Sequence, residues 1–418
     1  MVATAQHLTD LAIQLSDRGH SVTVVTGDRG YNDPGVRFKR EEVWKGISIL
    51  RIPSLSWGKN TRWKRAVNFS SFLLMCGLRL FELQRQDVVI ALTSPPLISV
   101  LGALYVRLKG GRLCCWIMDL NPDEAIAAGW LRDNSISAKA LKRMMNFSLQ
   151  RADQVVVLDR FMKERLRERV REIRRISVVP PWPLSDVVSY SSNKRRAFRQ
   201  KHGLEDKFVV MYSGNHSPCH PLDTLLNAAS NLRARSDVIF CFVGGGSEYF
   251  KVQRFSELHR LSNVKCLPYQ PLTELSASLS AADLHVVVVG NPFVGILHAS
   301  KIYNILEVRS RILYIGPEES HITDLAAKMY SGQLLAARHG DSSRVVHLIL
   351  TCLERAPLEF AHPVSDSKDG HQQRSVSTAV RNHNSPHAKE ALEELCQIIE
   401  TDADLRLPIT QGAAESVF

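Results

Sequence analysis

No segment of this 418-residue chain approaches ~20 uninterrupted apolar residues, so no transmembrane helix is predicted. The first residues, MVATAQHLTD, have neither a basic start nor an apolar centre, and no secretory signal is expected there. CxxC pairs and Cys/His zinc spacings are missing too. The eight cysteines are scattered, with Cys114 and Cys115 adjacent, which predicts a reducing compartment and thiols used as small core residues. A Walker A motif is absent, as is any internal repeat with a period of roughly 20 to 50 residues. Neither a basic-aromatic RNA signature nor a helix-turn-helix pattern occurs, so nucleic acid is not the expected partner.

What is present is the composition of a globular protein, 44% hydrophobic and 23% charged, and long enough for two domains with separate cores. A net charge of +11 suits nucleotides, other polyanions or an anionic membrane face.

Short apolar runs alternate with amphipathic segments of helical length. In the first half they are SVTVVT (21–26), ISILRI (47–52), DVVIAL (87–92), LCCWIM (113–118), QVVVL (154–158) and ISVVP (176–180). In the second they are KFVVMYSG (207–214), VIFCFVGG (238–245), NVKCLPY (263–269), LHVVVV (284–289) and RILYIG (311–316). Near-continuous rather than alternating runs are the pattern of buried parallel strands, and the repetition predicts two doubly wound α/β domains. The expected boundary is PPWPLSD (180–186), giving a first domain over 1–182 and a second over 183–386 that carries a polar loop at 362–387. A final amphipathic helix, AKEALEELCQII, and a tail occupy 387–418. The chain opens on a helix, ATAQHLTDLAIQLSDRG, whereas a doubly wound domain normally begins with a strand and a glycine-rich turn feeding that helix.

Parallel sheets bind ligands beyond the carboxyl ends of their strands. In the second half the loops there are SGNHSPCHPLD, GGGSEY, PYQ, GNPFVGILHASK and GPEES, rich in Gly, Pro and small polar residues. They suit a nucleotide diphosphate lying across the sheet, although GGGSEY lacks the third glycine of GxGxxG and a bare tight turn is equally compatible. At the head of HASKIYNILEV (298–308), Ser300 is a candidate N-cap. Lys301 places a charge at the positive end of the helix, unfavourable unless an anion offsets it, and Asn304 lies one turn on. A solvated surface lysine is the competing reading. His216 and His220, with Asn215 beside them, are candidate donors to phosphate oxygens or plain turn residues. Asp119, just past LCCWIM and followed by Asp123 and Glu124, is a candidate anchor for an acceptor hydroxyl or a cap of the following turn. Trp57, Arg62, Trp63, Lys64 and Arg65 flank an amphipathic helix and suit an interfacial membrane contact, with a core helix as the alternative. The acidic DAD (402–404) lies in a polar tail and is discounted as a metal motif.

These segments together resemble the retaining GT-B glycosyltransferases of the large family 4 type, especially colanic-acid-type and O-antigen-type exopolysaccharide enzymes. The matching stretches are LxxRGHxVTVVTG (15–27), ALTSPPL (91–97), WIMDLNPDEAIAAGWL (116–131), ADQVVVLDRFMKERL (152–166), VVPPW (178–182), MYSGNHSPCHPLDTLLNAA (211–229), FVGGGSE (242–248) and SKIYNIL (300–306). The resemblance implies two Rossmann-like domains, a nucleotide-diphospho sugar on the second, an acceptor on the first, and transfer with retention without a bound metal or other cofactor. It implies Lys301 and Asp119 as catalytic residues. Donor contacts would come from Gly214, Asn215, His216, His220, Gly245, Pro268, Tyr269, Gly295, Ser300, Asn304 and Glu307. The sequence departs from the family where many members carry Glu-x7-Glu, at Ile296 and Asn304, and where a histidine is common, at Met118. The family's first strand and glycine loop are not in the sequence. The expected partner is a lipid-linked or glycan acceptor of surface polysaccharide assembly. The expected place is the cytoplasm, peripheral on an anionic membrane face. A non-catalytic nucleotide-sugar-binding or scaffold protein is the alternative. A GT-B epimerase is disfavoured, because no acid–base pairing of carboxylate and histidine stands out.

Overall fold

The structure, a computed structural model, describes residues 3–30, 35–53, 62–170, 172–183, 187–326, 329, 332–354 and 386–404. The polar loop 362–385 and residues 57–61 of the aromatic-basic stretch lie outside them, as do the side chains of Arg62, Trp63 and Arg65. The chain divides into two compact units. The first takes the described residues within Met1–Ile126, Leu131–Pro180 and Glu390–Phe418, the second those within Ala127–Trp130 and Pro181–Lys389.

Thirteen described strands form three sheets. In the first unit β1 (Thr23–Gly27), β2 (Glu41–Trp44) and β3 (Ile47–Ile52) pair in the order β1-β3-β2, with β2 antiparallel. A separate parallel sheet has the order β4-β5-β6-β7, from β4 (Val88–Ala91), β5 (Arg112–Trp116), β6 (Gln154–Val157) and β7 (Ile176–Val178). The helix Ala3–Asp17 precedes β1 and ends at Gly19, whose φ of 90° only glycine adopts freely. The helix Pro386–Asp404 lays Leu392, Leu395 and Cys396 into this unit, and Arg18 pairs with its Glu393 and Glu400.

The second unit holds one six-stranded, wholly parallel sheet. Its strands are β8 (Phe208–Asn215), β9 (Val238–Gly245), β10 (Val264–Leu267), β11 (Leu284–Val288), β12 (Arg311–Ile315) and β13 (Leu334–Ala337), ordered β10-β9-β8-β11-β12-β13. Successive residues face opposite layers: Val210 and Tyr212 join one buried cluster with Leu225, Phe240 and Ile349, while Val209 and Met211 join another with Phe198, Cys241 and Ala277. Burial on both faces is why these strands read as unbroken apolar runs. Seven of the eight free cysteines are buried, used as small core residues.

Candidate active site

The order in which strands are added to the six-stranded sheet reverses between β8 and β11, its two central strands. At such a switch point the loops leaving the two strands diverge and open a crevice over their carboxyl ends. The loop after β8 carries Gly214, Asn215, His216 and His220, and the one after β11 runs through Gly295 to the helix Lys301–Glu307.

The β8 loop is held close to β9. Gly214 and Gly244 are register partners, and a Cβ on Gly244 would stand 2.0 Å from the Gly214 carbonyl oxygen, with φ at 136°. Any side chain there would push the two turns apart. The His216 amide donates to the Gly245 carbonyl at 2.8 Å. Both loop histidines are buried inside the turn rather than presented to a ligand. His220 Nδ1 donates to the Val288 carbonyl at 2.6 Å, and His216 Nδ1 to that of Gly214 at 3.1 Å. Burial first, and Lys301 second, lowers His216 to about 4 and His220 to about 3, so both are neutral near pH 7. Of the two readings offered by the sequence these bonds fit the turn residue, each Nδ1 bracing the loop, while His216 Nε2 is buried with no hydrogen-bond partner among the described residues.

Lys301 reaches the crevice by folding back from the first residue of its helix. Its Nζ lies 3.8 Å from the centroid of the Tyr212 ring, and a Cβ on Gly214 would come within 3.1 Å of it. The residue as a whole is partly exposed, yet Nζ itself is sealed from solvent and has no hydrogen-bond partner. Loss of water pushes its pKa down to about 7. It is therefore not the solvated surface lysine of the competing reading, but a buried amine whose charge depends on what stands beside it.

A further expectation changes. Ser300 sits in helical conformation and its side chain makes no capping bond. The preceding turn is fixed instead by His321, whose Nε2 accepts from the Ala299 amide at 2.9 Å. The Tyr303 amide is also engaged, donating to the Ser300 carbonyl at 3.2 Å, so the seven-residue helix has fewer free amides to offer than a capped helix of ordinary length. Asn304 and Glu307 follow on the same helix, both half-buried, and Ile296 is buried.

After β10, Pro268 and Tyr269 are exposed, and the Tyr269 hydroxyl donates to the Gly245 carbonyl at 3.1 Å, laying its ring along Gly245. Lys301, Gly214, Asn215 and the Gly245–Tyr269 pair thus share the ends of the central strands and their neighbours. A depression of about 330 Å³ lined by Asn291, Gly316, Pro317, Glu318, Arg338 and His339 lies over the β11–β13 ends and includes none of the nominated residues.

In the first unit Asp119 follows β5, and the amides of Met118 and Asp119 both donate to Thr93 Oγ1 at 3.2 Å. Burial, then the neighbouring charge of Glu124, raises its carboxyl to about 7. Asp123 is engaged by Arg169 and opens a short helix.

Comparison with known proteins bears on the whole arrangement. Residues 3–182 match the Glycosyl transferase 4-like domain, and residues 194–290 match Glycosyl transferases group 1. The chain carries these two glycosyltransferase domains in this order, on the GT-B fold. WbjE of Pseudomonas aeruginosa, named as a glycosyltransferase, is 25% identical over 61% of this chain and 64% of that protein, so the match spans just under two thirds of that relative's length. WcaI of Escherichia coli (strain K12), named for colanic acid biosynthesis, is 26% identical over 70% of this chain and 75% of that protein. Among solved structures, sucrose-phosphate synthase from Thermosynechococcus elongatus superposes with a TM-score of 0.65 at 15% identity, covering 83% of each chain. Anabaena HepE in complex with UDP-glucose superposes at 0.61 and 15% identity, covering 84% and 85%. These likenesses establish the fold.

Proposed function

We propose that this glycosyltransferase moves a sugar, with retention, from a nucleoside-diphosphate sugar to a glycan acceptor in surface polysaccharide assembly. The observation that carries the reading is Lys301: a sealed amine with no hydrogen-bond partner, set against Gly214 where β8 and β11 diverge. A diphosphate at the Gly214 turn supplies the oxygens that this nitrogen lacks. As the glycosidic bond to the diphosphate lengthens, negative charge accumulates on the leaving phosphate, and an ammonium already in place stabilises it without reorganising solvent. Asp119, when ionised, accepts a hydrogen bond from the acceptor hydroxyl and orients it for attack. Lipid-linked acceptors at the cytoplasmic membrane face fit the polysaccharide-pathway name of the WcaI relative and the apolar face of the helix Arg62–Glu82. No described helix is long and apolar enough to cross a membrane.

The test is calorimetry of UDP and GDP against the intact protein and Lys301→Ala. Loss of a charge-assisted contact should weaken binding by at least ~1 kcal/mol. Equal affinities would remove Lys301 from the donor site. Retention is checked by the anomeric configuration of the product from radiolabelled sugar nucleotides and membrane extract.

A second reading, a nucleotide-sugar-binding protein without transferase activity, is favoured by one feature: β1 and β4 are both sheet edges in the first unit. Tight nucleotide binding with no sugar transfer from any sugar nucleotide would select it.

A further inference from the structure

Tyr212 belongs to none of the groups nominated from sequence, yet it touches both halves of the donor crevice. Its ring, fully buried in β8, carries Lys301 Nζ at 3.8 Å from its centroid. Its hydroxyl donates to the Asn215 carbonyl at 2.8 Å, which ties the ring to the turn that contains Gly214. The edge of His216 packs on the same ring at 4.8 Å and 71°, fixing its orientation. The groups that surround the amine in the second unit are therefore an aromatic face, two neutral histidines and glycine backbone, with no carboxylate bonded to it. A lysine nitrogen sealed from water without an anion is costly, and the negative face of an aromatic ring is the compensation present. The stem of Lys301 is partly exposed, so a route to solvent is open to the side chain. Something must keep the nitrogen inward.

We propose that Tyr212 is the positioning residue of the donor site: its ring face parks the Lys301 amine against Gly214, from where it passes to the diphosphate of the sugar nucleotide. This rests on the donor-site reading above. It predicts that the ring matters to binding only through Lys301. With the ring gone, the lysine swings to solvent and must be re-ordered for every nucleotide bound. With the lysine gone, the ring has nothing left to hold.

The experiment is a double-mutant cycle on the full chain, with UDP and GDP as probes. Tyr212→Phe keeps the ring and should bind within about threefold of the parent. Tyr212→Leu and Lys301→Met should each weaken binding about tenfold, and the double variant should bind no more weakly than Lys301→Met alone. A Tyr212→Leu loss of the same size in both backgrounds overturns the proposal, since the ring would then act by packing the turn. A second readout needs no nucleotide. In protein labelled at lysine ε-carbons, the Lys301 methylene protons over the ring should resonate upfield of the other lysines. That signal should vanish in Lys301→Met, persist in Tyr212→Phe and fall into the solvent-exposed group in Tyr212→Leu. Absence of any upfield lysine signal that Lys301→Met removes refutes the parking, even where neither nucleotide binds. Failure of nucleotide binding with the signal intact instead refutes the donor-site reading.

Discussion

Lys301 and Asp119 are shifted towards each other in pKa by the same physical cause. Burial disfavours charge on either, lowering the amine to about 7 and raising the carboxyl to about 7. In the proposed reaction their useful forms are opposite, an ammonium for the diphosphate and a carboxylate for the acceptor. Nucleoside diphosphate affinity should therefore fall as pH rises above about 7, by up to about tenfold per pH unit, and Lys301→Met should flatten that dependence. Turnover should lose its acid limb in Asp119→Asn, along with most of its rate. A profile unchanged by either substitution would detach the two residues from the reaction. The stability signs follow from the same shifts. Lys301 binds its proton more weakly folded than unfolded, so Lys301→Met should stabilise the nucleotide-free protein below pH 7, an advantage that shrinks as pH rises towards 10.5. From sequence, Lys301 stands out as a candidate anion ligand because it follows a buried strand and a glycine loop, and its place in a donor site is the proposal made above. Its partner Tyr212 does not stand out, since an aromatic residue in a strand reads as core and only the fold brings the two together.

The apolar runs mark the buried parallel strands because those strands are covered on both faces, and β3 and β9 fall on the expected residues. Two strands escape the pattern. β2, EEVW, is largely exposed and antiparallel at a sheet edge, so it carries acidic residues where buried strands carry valine. β13, LLAA, ends in alanines that give no strand signal and is placed by pairing with β12. The Ser300 cap fails for a similar reason, because a tertiary contact from His321 does the work that a local side-chain bond usually does. The helix Arg62–Glu82 is legible only by half. Phe72 and Cys76 turn inward, against Gly27 and the core, while Leu74, Leu78 and Phe81 lie one turn apart on the outside at 65%, 54% and 66% exposure. Leu104 and Leu108 of the helix Ile98–Lys109 are exposed as well, and Lys109 of that helix donates to the Phe81 and Leu83 carbonyls. Exposed apolar side chains on a helix, with basic residues in the last turn of a second helix, suit insertion at an anionic interface. Vesicles of mixed phosphatidylcholine and phosphatidylglycerol should co-sediment the protein, less so as salt screens charges over ~8–10 Å. Leu74→Asp with Leu78→Asp should abolish that binding and leave the melting temperature within a few degrees. Undiminished sedimentation would leave the stripe without a membrane role.

Both units follow one topological plan, and the difference between them sets the last expectation. In the second unit, β10-β9-β8-β11-β12-β13 reproduces the doubly wound order 3-2-1-4-5-6 with every position filled. In the first unit β3, β1, β4, β5 and β6, taken over two separate sheets, would fill positions 3, 2, 4, 5 and 6 of the same order, with β2 an antiparallel addition and β7 beyond position 6, and no described strand holds position 1. β1 and β4 are accordingly edges: every residue of β1 and three of four in β4 are only half-buried, whereas β6, inside its sheet, is buried throughout. Among the described residues neither outer edge has a ladder partner, and an apolar edge of this kind can take up a further strand. Joining a five-residue apolar strand and a glycine-rich turn ahead of the helix Ala3–Asp17 should merge the two sheets into one. The merged protein should melt about 3 °C or more higher. Amides of β1 and β4, which should exchange faster than those of β5 and β6 in the present chain, should become as slow as theirs. Sugar transfer should rise further than any single substitution achieves, because the added turn brings backbone amides to the carboxyl end of the first unit's switch point. If the extended and present chains match in melting temperature, exchange and turnover, the two sheets are complete as they stand, and the edges of β1 and β4 are satisfied by other means.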